Sequence, residues 1–124
     1  EALYQVDYLR GDPFFEWTFS IRERLREAHL AMLGEAAQLH AERGCPEEAA
    51  NLCRKILRAE PWREEVYRSL MRYLEAAGRP HEALRAFEEC RRALHAEVEA
   101  EPSPETVRLR NHIAHENQAA AGQP

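Results

Sequence analysis

The chain has 124 residues, 31% of them charged, and 22 acids against 17 bases leave a net charge of -5. That length suits one domain, and the acidic balance argues against this chain gripping DNA by itself, because phosphate contacts need a net basic face. No run of about 18 apolar residues exists and no signal-peptide pattern opens the chain, so a cytoplasmic protein without membrane contact is expected. The chain opens on Glu1 rather than Met, which suggests a piece of a longer polypeptide.

Gly and Pro divide the sequence. Gly11-Asp12-Pro13, Gly44-Cys45-Pro46, Gly78-Arg79-Pro80 and Pro102-Ser103-Pro104 mark four breaks. In each, Pro stands where a first helical residue belongs, since its missing N–H costs nothing there. Gly44 and Gly78 suit the left-handed residue that ends a helix. Asp12 and Ser103 carry the oxygen an N-cap needs.

Between the breaks the apolar period is helical. A stub at 2–8 is expected to form a turn or two. The next helix is expected over 13–43, with Trp17, Ile21, Leu25, Ala28, Met32, Ala36 and Leu39 as its core face. Helices follow over 46–59 (Ala49, Cys53, Ile56), 62–77 (Val66, Leu70, Leu74, Ala77), 80–97 (Ala83, Phe87, Cys90, Leu94) and 104–115 (Thr106, Leu109, Ile113). Residues 117–124 are small and polar and read as a flexible tail. No segment alternates as a strand does, so the expected fold class is all-α, with one domain over 1–116.

An offset of 34 runs through the middle of the chain. It relates Gly44 to Gly78, Pro46 to Pro80, Glu48 to Glu82, Ala49 to Ala83, Arg58 to Arg92 and Ala59 to Ala93. This is the period of a tetratricopeptide helix–turn–helix unit. Small Ala49 and Ala83 let two helices approach, while Cys53 and Phe87 fill the gap one turn later. About two units are present, with the early half of helix 13–43 and the last helix as caps.

Sites of chemistry are sparse. Cys45, Cys53 and Cys90 show no CxxC spacing and read as reduced thiols, two of them in the core. His112 and His115 share a helix with Glu116 but read as a solvated face, not a metal site. Cys90 and His95 face different ways on one helix. No nucleophile motif and no phosphate loop occurs, so no catalytic residue, metal or cofactor is assigned.

Binding surfaces remain. On a tetratricopeptide template, Gln38, Glu65, Arg68, Arg72 and Glu75 fall on the groove side. Arg68 and Arg72, four apart, are read first as forming surface ion pairs with Glu64 and Glu65, and otherwise as able to clamp a carboxylate or phosphate. Arg54, Lys55 and Arg58, with Arg91 and Arg92, fall on the other side among acids and read as solubilising. Phe14, Phe15 and Phe19 lie off the Trp17–Leu25 stripe. They are read first as packing on the stub with Tyr4 and Tyr8, and otherwise as docking on another domain or a second copy.

Pro61-Trp62-Arg63-Glu64-Glu65-Val66-Tyr67-Arg68-Ser69-Leu70-Met71, then Gly78-Arg79, Glu82-Ala83-Leu84-Arg85, Phe87-Glu88 and Cys90-Arg91-Arg92, and finally Glu101-Pro102-Ser103-Pro104-Glu105-Thr106, resemble the bacterial transcriptional activator domain of Streptomyces-type antibiotic regulatory proteins. Gly11-Asp12-Pro13, Trp17 and Arg22-Glu23-Arg24-Leu25 resemble its start, so the resemblance spans about residues 4–113. It implies a non-catalytic domain that follows a winged-helix DNA-binding domain and serves oligomerisation, signal input or contact with the transcription machinery. The implied partners are proteins, with DNA reached only indirectly. Alternatives are a peptide-binding scaffold unrelated to transcription, and a sensor of a small ligand or nucleotide held near Arg68 and Arg72. One departure stands out. The family has Leu-Gly-Val before Glu-Pro-Ser-Pro, whereas this chain has Val98-Glu99-Ala100, so helix 80–97 can run on to about Ala100.

Overall fold

A computed structural model describes residues 11–122. Five helices follow in order: α1 (Pro13–Glu42), α2 (Pro46–Ala59), α3 (Glu64–Ala76), α4 (Pro80–Val98) and α5 (Pro104–Ala121). No strand occurs among the described residues. The fold is all-α, built from tetratricopeptide-like helix pairs. The expected stub at 2–8 lies outside the described residues.

The chain divides within α1 into two units, Glu1–Met32 and Leu33–Pro124. In the first, the described part of α1 starts on a working cap. The Phe14 N–H donates to Asp12 Oδ1 at 2.9 Å, which satisfies one of the donors a helix start leaves orphaned.

The second unit carries the repeat. Its two Gly turns are structural copies. Gly44 and Gly78 take φ of 80° and 78°. The Cys45 N–H donates to the His40 carbonyl at 2.8 Å and the Gly44 N–H to Ala41 at 3.1 Å; Arg79 and Gly78 repeat this on Leu74 (2.9 Å) and Glu75 (3.0 Å). Both are Schellman caps, and a Cβ disfavours their positive-φ position. Pro46, Pro80 and Pro104 open α2, α4 and α5 as their first helical residues.

Consecutive helices α2, α3, α4 and α5 pack on one another, and α5 also reaches back to α3. The core is most of the set expected from the period, with Ala77, the C-cap of α3, and Leu109 only half-buried. Ala49, Cys53, Ile56, Val66, Leu70, Leu74, Ala83, Phe87, Cys90, Leu94, Thr106 and Ile113 are all buried, joined by Tyr67 and Met71. Ala49 and Ala83 have no exposed surface at all, as close helix crossings require. Gly34 lies 4.0 Å from Ile56 Cδ1, measured from where its Cβ would stand. Arg110 of α5 lies over the Phe87 ring at 5.8 Å.

Three expectations are corrected. The stripe chosen as the core face of α1 is largely exposed: Trp17 is 59%, Leu25 66%, Met32 57% and Leu39 50% accessible. The buried positions are instead Leu30 and Ala37, with Phe15, Leu33 and Gly34 half-buried. The helix carries two apolar faces, and periodicity alone favours the longer one. The last helix runs to Ala121 rather than to 115. Ala119, Ala120 and Ala121 are the best helix formers available, and the chain meets no breaker before Gly122. Helix α4 ends at Val98. Glu99, at the position of the family's Gly, takes the left-handed conformation itself, with φ of 52°. The turn demands that backbone whether or not Gly supplies it.

Candidate functional site

The groove residues do not form one open site. Gln38 is exposed on α1 and its Nε2 donates to Glu42 Oε2 at 3.3 Å. Glu65 is bound to Arg63 at 2.8 Å. Arg72 is exposed and Glu75 half-buried on the same strip of α3. Arg68, the centre of that strip, faces α5 and its side chain is only 17% accessible.

There Arg68 belongs to a polar cluster that fastens α5 to α3. Its Nη1 donates to Thr106 Oγ1 at 2.9 Å. Its guanidinium lies 3.7 Å from Glu64 Oε2 and 3.6 Å from Glu105 Oε2. Glu64 Oε2 also accepts from the Ser103 N–H at 2.7 Å and from the Thr106 hydroxyl. Thr106 is wholly buried, yet no buried side-chain donor or acceptor among the described residues lacks a partner. The Ser103 hydroxyl makes no cap bond to α5; it lies 3.3 Å from Thr106 Oγ1. At the start of α5 the capping oxygen therefore comes from Glu64, on another helix. A carboxylate suits that place, since it meets an orphaned N–H at the positive end of the helix.

Burial raises the Glu64 carboxyl, but hydrogen bonds from Thr106 and Ser103 and the Arg68 charge outweigh it, so the group stands below its ordinary value. Arg68 is thus engaged within the fold, and of its two readings it makes the ion pair with Glu64. The spacing on α3 was read correctly as one strip. What local pattern could not show is that α5 folds over half of it. The one sequence hint was Thr106, a hydroxyl on the otherwise apolar stripe Thr106–Leu109–Ile113.

The other basic set is diluted by acids. Arg54 lies 3.8 Å from Glu89 and Arg91 3.0 Å from Glu88. Exposed pairs of this kind contribute little. Cys53 and Cys90 are buried and Cys45 exposed. Burial pushes the Cys53 thiol up to about 11 and the Cys90 thiol up to about 12, so both stay protonated and inert.

The first unit presents the aromatics. Phe14 is 70% and Phe19 55% accessible, while Phe15 is half-buried. Phe14 packs beside Trp17 with ring centres 6.0 Å apart, and Phe15 stacks on Phe19 at 6.3 Å. Together with Asp12, Thr18 and Arg22 the three phenylalanines line a hollow of about 260 Å³. Among the exposed apolar side chains of α1, Trp17, Leu25, Met32 and Leu39 are those that sequence reasoning placed in the core, while Phe14 and Phe19 were placed off that stripe.

Among the described residues no His, Cys, Asp and Glu side chains gather into a metal-holding group, and no helix is long and apolar enough to cross a membrane.

The family described as bacterial transcriptional activator domain matches residues 2–114. Regulatory protein AfsR of Streptomyces griseus is 35% identical over 92 residues, which is 74% of this chain and 9% of that relative. Regulatory protein AfsR of Streptomyces coelicolor is 32% identical over 119 residues, 96% of this chain and 12% of that relative. The chain thus spans about a tenth of these relatives' own length. The matched span holds the twin Gly turns, the buried repeat positions and the Glu64–Ser103–Thr106 fastening, and the chain belongs to the bacterial transcriptional activator domain family.

Proposed function

We propose that this chain is a non-catalytic regulatory domain of a cytoplasmic transcription regulator and acts by protein contact. It passes a signal to, or supports the action of, a winged-helix DNA-binding domain in the same polypeptide. The contact is with that domain, with a second copy, or with the transcription machinery. Family membership supports the regulatory role. The exposed apolar face of α1 carries the contact reading: Phe14, Trp17, Leu25 and Met32 are each more than half accessible on one helix. Single exposed apolar residues are ordinary, but a contiguous set marks an interaction site.

The test is made in the regulator that contains this chain. Leu25→Ser with Met32→Ser is expected to leave promoter affinity intact and to lower transcription from a reporter by at least about tenfold. Unchanged transcription, with the variant shown to be folded, would count against protein contact through this face.

A further inference from the structure

The exposed face of α1 is more than apolar. Phe14, Thr18, Ile21, Leu25, Ala28 and Met32 step by 4, 3, 4, 3 and 4; Phe14, Leu25, Ala28 and Met32 are exposed, and Thr18 and Ile21 are half-buried between them. This is a heptad seam, the pattern that two helices use to interlock side chains. Thr18, half-buried, fits it because its hydroxyl is satisfied within the helix, donating to the Phe14 carbonyl at 2.8 Å. All six residues fall within the first unit. The next seam position is Glu35, so the uninterrupted strip covers 18 residue steps, or about 27 Å of helix.

The flanks of the seam decide what fits it. One edge carries Arg24 beside Trp17, and the other carries Arg22 and His29 beside Phe15. The acids of this segment, Glu16, Glu23 and Glu27, fall on the remaining side of the helix at helical spacing. No acid stands at a flanking position between Phe14 and Met32. A second copy docked on this seam would set Arg22 and Arg24 against the same basic edges, whether the helices ran parallel or antiparallel. Like charges across such a seam disfavour pairing.

We infer that the seam receives an amphipathic helix of another protein, about five turns long, whose apolar stripe is flanked by Asp and Glu. The inference rests on the protein-contact reading above and names the partner's chemistry. Leu25, Met32 and Ile21 supply the apolar contact. Arg22 and Arg24 choose the partner and set its register, as flanking charges do in paired helices. Since these charges are exposed, their contribution falls as salt rises.

The experiment uses two fluorescent 21-residue helical peptides with Leu at both seam positions. One carries Glu at all flanking positions and the other Lys. Binding to the 124-residue chain is followed by anisotropy, with circular dichroism confirming that each variant is folded. The Glu-flanked peptide is expected to bind at least about tenfold more tightly than the Lys-flanked one, and to weaken between low and high salt. Arg22→Glu/Arg24→Glu is expected to reverse the preference, and Leu25→Ser to abolish binding of both. Equal binding of the two peptides, absence of binding, or binding indifferent to Leu25→Ser would overturn the inference. Self-association seen by light scattering and lost in Leu25→Ser would assign the seam to a second copy instead. Loss of reporter activity in Leu25→Ser/Met32→Ser without any charge preference in the peptides would remove the acid-flanked helix and leave the protein-contact reading standing.

Discussion

Replacing Thr106 by Val keeps the shape of a wholly buried side chain and removes only its hydroxyl. Two bonds to charged groups go with it, the one Thr106 donates to the Glu64 carboxylate and the one it accepts from Arg68, together with the longer contact to the Ser103 hydroxyl. Bonds to a charged partner are worth about 1.5–3 kcal/mol each. Glu64 is 21% accessible, so water recovers part of the loss, and Glu64 keeps the Ser103 N–H. The expected net cost is about 2–3 kcal/mol, a large share of the roughly 5–15 kcal/mol that holds a domain together. In urea, with a slope of about 1–2 kcal/mol per M, the midpoint should fall by about 1–3 M at pH 7. The pH dependence follows from the Glu64 shift. Its folded pKa is depressed, so its stabilisation is present above the unfolded carboxyl value of about 4.3 and is lost as pH falls through the lower folded value. The difference between the parent chain and Thr106→Val should therefore be constant near neutrality and shrink below about pH 4. A midpoint shift worth less than about 0.5 kcal/mol, or a gap that stays the same down to pH 3, would refute the reasoning.

Glu99→Gly should stabilise the chain by about 1 kcal/mol, because a side chain in the left-handed region costs about 1–2 kcal/mol that Gly avoids; thermal melting reads the gain, and a fall in Tm would contradict it. Leu25→Ser should change stability by less than about 0.5 kcal/mol, as exposed sites do, whereas Leu70→Ala should cost about 2–5 kcal/mol; paired denaturation curves separate the two. With an aromatic disulfide reagent at pH 8, Cys45 should react within the mixing time, while Cys53 and Cys90 should react only on unfolding, since burial holds both well above their usual value. Two or more thiols reacting at once in the folded chain would show the core to be open.

Much of the fold was legible because Gly and Pro act locally. Pro46, Pro80 and Pro104 mark helix starts, and Gly44 and Gly78 mark ends, by backbone preferences that need no knowledge of the rest of the chain. The 34-residue offset then paired the helices, and the buried sides of α2, α3 and α4 followed from their single apolar face. The choice of face on α1 was not legible, because Trp17–Leu25–Met32 and Phe15–Leu30–Ala37 both keep helical spacing. Burial chose the shorter. The role of Arg68 was hidden for a different reason. Its partner Thr106 is 38 residues away, and i,i+4 arithmetic on α3 sees only Glu64 and Arg72. The departure at Glu99 was visible as a missing Gly. It was read as a longer helix, whereas the turn is kept by a residue that tolerates the conformation poorly.

The central claim is that the apolar face of α1 is covered when the regulator works. Hydroxyl-radical footprinting tests it directly, because Trp17 and Met32 are among the most oxidisable residues and both lie on that face. Met71, wholly buried, and Trp62, 42% accessible on the turn before α3, serve as internal references. In the 124-residue chain alone Trp17, Met32 and Trp62 should be modified and Met71 spared. In the intact regulator assembled on its promoter with the transcription machinery, Trp17 and Met32 should become protected while Trp62 stays reactive. Trp17 and Met32 oxidised as fast in the assembly as in the chain alone would contradict the account.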